Sequence, residues 1–205
     1  MDIKLNLINR SNDSNNSSVV IFQKNAASNF NELAVAWKVI QNLGVGDSRH
    51  FSFPVATFVS ASDPWGNYTP QLAAKNGALL QMEQTNSGAQ LTQAGCATNP
   101  TQIHVANALS QGAVNASVFR DGTLLATLTS IAPGQKAVFE FKPTIWIGVE
   151  SQVEQGQVMN SAILSNVNTE LSLLGVASAD IIMTGGGPGA NSTPFSFVLD
   201  NIQHV

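Results

Sequence analysis

Charge is what this chain has least of. Lys and Arg number 9 and Asp and Glu 13 in 205 residues, so charged side chains make up 11% of the sequence, against about 25% in a typical globular protein. The net charge is −4, and the few basic residues are scattered. No basic stripe exists to meet a phosphate backbone, which argues against a nucleic-acid partner. Cysteine is nearly absent too. The single Cys96 cannot form an intrachain disulfide, which fits a reducing compartment. No apolar run approaches the ~18 residues that a membrane-spanning helix needs. The start, Met1-Asp2-Ile3-Lys4-Leu5-Asn6, has neither a basic nor an apolar leader region, so a cytoplasmic location is the default expectation. Release by lysis or a dedicated secretion system would leave no trace in such a sequence. The sequons Asn67-Tyr68-Thr69 and Asn115-Ala116-Ser117 then reflect only the abundance of Asn and Ser.

Uncharged polar residues stand in place of the missing charge. Asn 20, Gln 14, Ser 20 and Thr 13 together form about a third of the chain, while hydrophobic residues keep an ordinary 43%. That is enough apolar material to bury a core, so disorder is not expected.

The dominant period is two. Ile3, Leu5 and Leu7 alternate with Lys4 and Asn6, as in a half-buried strand. Val19-Val20-Ile21-Phe22 follows a polar run. Ala116–Arg120 meets Thr123–Ala126 across Asp121-Gly122, a two-residue hairpin signal. Val138–Phe141 and Thr144–Ile147 are rich in β-branched and aromatic residues. Short runs punctuated by Gly, Pro and Asn imply an all-β fold, an antiparallel β-sandwich. One stretch, 29–42, reads two ways. Asn29 as N-cap and Glu32 in a capping box suggest a helix, whereas Leu33, Val35, Trp37 and Val39 alternate as a strand.

An internal comparison favours the strand. Ile3–Asn9 and Ile21-Phe22 find counterparts in Ile103–Asn107 and Val118-Phe119. Leu43-Gly44-Val45-Gly46 matches Ile131-Ala132-Pro133-Gly134, and from Gly46 and Gly134 onward the halves run at a constant offset of 88 residues. The strand near 33–40 then corresponds to the one ending at Ile131, and 25–32 is an inserted loop. The chain thus reads as two tandem, internally similar β units, 1–99 and 100–205, either separate or packed as one body. Their boundary falls in Ala94–Pro100, a stretch of small and turn-forming residues.

Chemistry-bearing patterns are sparse. His50, His104 and His204 show no ligand spacing and read as scattered surface residues. No G-x-S-x-G elbow is present, and Cys96 sits among Gly, Ala and Thr, a setting for an incidental thiol. Thr184–Gly189 is glycine-rich, but the strand-like Phe195–Leu199 follows where a P-loop requires Lys-Ser/Thr and a helix. Glu150 and Glu154 fit an exposed strand end without acid–base work. No catalytic residue, metal ligand or cofactor is therefore expected, and the balance leans away from an enzyme.

The most suggestive segment is Ser62-Asp63-Pro64-Trp65-Gly66-Asn67-Tyr68-Thr69-Pro70. Its turn residues predict a loop, yet it carries Trp65 and the only tyrosine, Tyr68, beside Asp63 and Asn67. An aromatic plate flanked by polar groups suits a sugar ring. Large aromatics are usually well buried, so the default expectation is a plug folded over one end of the sandwich. The matching region of the second half, 150–155, has no aromatic residue.

Val19–Asn25, Ala36-Trp37-Lys38-Val39, Ile131–Gly134 and Ala179–Gly187 resemble a group of small bacterial β-proteins without an assigned function, over most of the chain. Some of these carry an aromatic ring-opening dioxygenase label. The three unpatterned histidines give that label no support, and the resemblance implies no activity or site residue here.

Three function classes follow. The first is a non-catalytic structural protein that associates with itself as a homo-oligomer or assembly, since a weakly charged surface and open sheet edges favour association. The second is a lectin- or toxin-like module that binds a glycan or a membrane surface through Asp63, Trp65, Asn67 and Tyr68. The third is an enzyme whose site is assembled from distant residues.

Overall fold

The computed structural model describes residues 2–15, 17–27 and 34–205, and the regular structure in them is almost entirely β. The strands are β1 (Ile3–Asn9), β2 (Val19–Phe22), β3 (Lys38–Ile40), β4 (Ser48–Phe53), β5 (Phe58–Ser62), β6 (Leu72–Ala73), β7 (Ala78–Thr85), β8 (Gly88–Cys96), β9 (Ile103–Asn107), β10 (Val114–Arg120), β11 (Thr123–Ile131), β12 (Lys136–Phe139), β13 (Thr144–Val149), β14 (Thr169–Ser172), β15 (Val176–Gly186) and β16 (Thr193–His204). One short helix, α1 (Ser161–Asn166), lies between β13 and β14. Of the strand expected near 33–40, Lys38–Ile40 forms β3 and Val35 makes an isolated bridge to Val158, while residue 33 lies outside the described residues. Asn29 and Glu32 lie outside the described residues.

Two compact units form. Unit 1 takes Met1–Lys24, Ala34–Val55 and Pro143–Val205, and unit 2 takes Asn25–Leu33 and Ala56–Lys142. Each contains two four-stranded sheets. The division does not follow the halves 1–99 and 100–205: each unit draws four strands from each half.

Unit 1 holds the sheets β16-β15-β1-β4 and β14-β13-β2-β3. Ile3, Leu5 and Leu7 are buried while Lys4 is exposed, so the period-two pattern of β1 aims one face at the core. Trp37, just before β3, meets Phe53 of β4 edge-on, with ring centroids 5.4 Å apart, and so links the two sheets. All four residues of β2 are buried. Val20 and Phe22 face a second apolar layer of Ala36, Val153, Met159 and Val167, and Ile163 and Leu164 of α1 pack against it. Asn160 starts α1 by accepting the Ile163 amide on its side chain, 3.0 Å away.

Unit 2 holds the sheets β8-β7-β9-β12 and β6-β5-β10-β11. The expected hairpin joins β10 to β11, and both Asp121 and Gly122 take positive φ (49° and 70°), the signature of a type I′ turn. Ala94–Cys96 belongs to β8, so only 97–102 connects β8 to β9, a shorter connection than the expected boundary stretch.

The pairing patterns of the two units coincide. In unit 1, β1 runs parallel to β15 and antiparallel to β4; in unit 2, β9 runs parallel to β7 and antiparallel to β12. The antiparallel pairs β15·β16, β13·β2, β2·β3 and β13·β14 match β7·β8, β5·β10, β10·β11 and β5·β6. Loop hydrogen bonds match as well. Gly46 N donates to Asn9 O and Gly134 N to Asn107 O, at 2.7 and 2.8 Å. Arg10 N donates to Met183 O and Ala108 N to Met82 O, at 2.8 and 2.9 Å.

Candidate functional site

The connection between β5 and β6 carries Asp63, Trp65, Asn67 and Tyr68 on one tight loop of unit 2. Asp63 builds it. Its Oδ1 accepts the Trp65 and Asn67 amides, each at 2.9 Å, and its Oδ2 accepts Asn67 Nδ2 at 2.8 Å. The backbone closes the same turn, with Asp63 N donating to Asn67 O and Gly66 N to Asp63 O. Gly66 turns the chain at φ +86°, a conformation that other residues adopt only with strain. These donors, Asn67 Nδ2 foremost, hold the Asp63 carboxyl below its ordinary value against the opposing effect of burial.

The loop is also tied to its sheet. Thr69 N donates to Ala61 O, Thr69 Oγ1 accepts the Ala61 amide, and Ser60 Oγ donates to Thr69 O. Pro64 packs so closely on Gly112 that a side chain at 112 would collide with its ring.

With the polar groups turned inward, the two aromatics point out. Trp65 and Tyr68 are each 73% exposed, whereas Asp63 is 9% exposed. The expected plug is therefore not formed. The loop is too short and too fully hydrogen-bonded to itself to lay the rings back on the sheet. The carboxylate expected to face a sugar instead shapes the loop. The matching connection of unit 1, between β13 and β14, is longer, carries α1, and spends its apolar residues covering β2.

The other candidates fall elsewhere. His50 is exposed on β4 in unit 1, and His204 is exposed at the end of β16. His104 departs from the surface reading. It is 3% exposed on β9, because the side chains around it close over the ring. Lys136 Nζ donates to His104 Nδ1 at 3.1 Å, and His104 Nε2 then donates to Gln102 Oε1 at 3.0 Å. Gln102 Nε2 in turn donates to Glu140 Oε2 at 2.9 Å. Burial, helped by the Lys136 charge, lowers the His104 pKa. Its two nitrogens are thus occupied within a polar chain that runs from buried His104 out to exposed Lys136.

Sequence reading missed Arg120, which closes β10 with 8% exposure. Its guanidinium lies 5.9 Å from the Phe141 ring centroid, and burial brings its pKa down to about 10. An arginine ahead of a hairpin turn carries no signal of burial. Cys96 is exposed. Glu150 and Glu154 help shape a turn, where their neighbours' amides and side chains bond locally. Of the glycine-rich stretch, Thr184–Gly186 ends β15, and 187–192 joins it to β16, the strand that the alternating Phe195–Leu199 implied. Among the described residues no group of three or more His, Cys, Asp or Glu is placed to hold a metal ion. A shallow pocket beside β9 and β12 is lined by Asn107, Leu109, Gln135 and Lys136 among others, and includes none of the expected site residues. No helix among the described residues is long and apolar enough to cross a membrane.

Comparison with known proteins returns no matching family model, no similar curated protein and no similar solved structure. The Trp65 loop is accordingly read on its geometry alone.

Proposed function

We propose that this protein is a non-catalytic binding module that takes a carbohydrate on the exposed rings of Trp65 and Tyr68. The observation that carries this reading is their 73% exposure on a loop fixed by its own hydrogen bonds. Leaving a large aromatic in water forgoes about 2–3 kcal/mol of burial per ring. Folding gives no return for that, whereas binding does. A pyranose offers an apolar C–H face to an aromatic ring, and the rigid loop spares the entropy of ordering on contact. From Phe58 to Ala73 the only charged residue is Asp63, so the loop brings no cation to an anionic lipid headgroup. That favours sugar over membrane.

Trp65→Ala and Tyr68→Ala should each weaken glycan binding about tenfold, with melting temperatures nearly unchanged. Glycan-array screening followed by calorimetry checks the first effect and thermal denaturation the second. Binding to vesicles but not to glycans would overturn the sugar reading, and a sharp loss of stability would make the rings structural.

Self-association is the second reading, favoured by one observation. The edge strand β8 spans nine residues without a charged side chain to block pairing.

A further inference from the structure

Unit 2 is assembled largely from the middle of the chain, and unit 1 from its two outer segments. The first outer segment supplies β1–β4, and the second supplies β13–β16. Neither is a complete sandwich. Both central strands of one sheet, β1 and β15, come from different segments, and so do β2 and β13 of the other. Every core residue of unit 1 thus depends on two pieces of chain meeting across the whole sequence.

We propose that these outer segments are complementary binding elements, and that the partner they fit besides each other is the opposite segment of a second copy of this chain. The first segment of one molecule then pairs with the second segment of the next, rebuilding unit 1 between chains with the contacts it makes within one. Unit 2 stays intact in each molecule.

Three observations support this. First, the chain passes between the units at four places. Residues 25–33 tie the first segment to its own unit 2, with Asn25 Nδ2 donating to Val138 O and Ala26 N to Glu140 O, so the second segment is the one free to exchange. The remaining two passages are short. Four residues, 54–57, join β4 to β5, and four, 140–143, join β12 to β13, each containing a proline. Proline fixes φ and biases the residue before it to an extended form, so the chain runs onward instead of folding back on its own half. A connection of four residues gives the second segment little slack to fold back, and short connections favour exchange over closure. Second, unit 2 builds the same pairings from β5–β8 and β9–β12, so the two four-strand sets form a sandwich in either chain order. Third, 11% charged residues give weak repulsion between copies. Because the contacts are identical, concentration decides the outcome. Closure within one chain wins in dilute solution, and exchange gains as protein approaches the ~mM effective concentration of tethered segments. Reciprocal exchange between two copies closes as a dimer, and non-reciprocal exchange continues into larger sizes.

The test uses two variants of the full chain, both with Cys96→Ser. One carries Lys4→Cys and the other Ser178→Cys, at positions that are register partners on β1 and β15. Co-refolded from denaturant at high concentration and treated with a short bis-maleimide, they should yield a covalent heterodimer that increases with concentration. The same variants mixed while folded should yield none. If either variant fails to fold, Asn6→Cys with Asp180→Cys, also register partners, repeats the measurement. Folded protein that gives no heterodimer after co-refolding overturns the proposal. A heterodimer formed equally without unfolding overturns it too, because that reports contact between intact surfaces.

Discussion

Two buried asparagines show how much of this fold is held by single polar side chains. Asn107 is 1% exposed. Its Nδ2 donates to Ile131 O and Gly112 O at 2.8 and 2.9 Å, and its Oδ1 accepts the Leu109 amide at 3.0 Å. Asn9, also 1% exposed, does the same in unit 1 with Leu43 O and the Ser11 amide. Asn107→Ala strands two carbonyls and one amide away from water, which should cost about 2–4 kcal/mol. A fall in melting temperature of roughly 5–10 °C is the expected readout, and an unchanged midpoint would mean that water replaces the side chain. Asp63 makes a different prediction, set by pH. Its folded-state pKa is lowered, first by Asn67 Nδ2. The loop's stabilisation is therefore complete above the unfolded aspartate value of about 3.9 and is lost as pH falls through the lower folded value. The fluorescence difference between the wild type and Trp65→Phe should stay flat from neutrality to about pH 5 and change only in stronger acid. A transition at or above about pH 4 would show that the carboxylate is not held as described.

Elements differ in how openly the sequence announces them. β1, β2, β10, β11, β12 and β13 were legible because one face is buried, which forces alternation or an apolar run. The hairpin at Asp121-Gly122 was legible because positive φ at two successive residues selects that dipeptide. β7 and β8 gave weaker signals, since Gln81, Gln84, Gln90 and Gln93 blur the contrast between faces. The Trp65 loop was recognised as a turn, but the direction of its rings was not legible. That direction follows from the hydrogen bonds Asp63 makes, not from residue type. α1 was hidden by its six residues, and its task emerges only from packing. It helps to cover the outer face of β2 and β13, where Gly148 leaves room for the backbone of Val167. A Cβ at 148 would stand 2.6 Å from Val167 Cα, too close for backbone to absorb. Gly148→Ala should accordingly lift the 150–168 connection and destabilise the protein by about 1–3 kcal/mol. Faster amide exchange at Val153, Met159 and Val167 would mark the displaced layer. Exchange unchanged there, with stability lost, would place the strain elsewhere.

At the scale of the whole molecule the period of the sequence and the division of the structure are two different things. The same strand pairings recur in the two units, but a strand has no label for which partner it should meet. In the structure β1 pairs with β15 and β9 with β7, and the four-residue connections 54–57 and 140–143, each with a proline, carry the chain from one set of strands to the next. Circular permutation tests this account directly. In unit 2, β8 passes to β9 through six residues, 97–102, and Ala97 N donates to Gly77 O. In unit 1, Val205 N donates to Gly175 O in the same way, so β16 stands toward β1 as β8 stands toward β9. β16 ends at His204 and β1 starts at Ile3, so a linker of about six residues reproduces the connection 97–102. A chain opened between Asn99 and Pro100, with His204 joined to Ile3 through that linker, should fold with the same circular dichroism and a melting temperature within a few degrees. Its connectivity is then exchanged: the strands of unit 1 follow one another with only 25–33 between them, and those of unit 2 come from the outer segments. Co-refolding should now cross-link chains through Gln81→Cys and Ala106→Cys, register partners on β7 and β9. Lys4→Cys with Ser178→Cys should fall silent. If the permuted chain folds but still cross-links through the second pair alone, strand exchange is governed by the units themselves and not by which of them holds the outer segments.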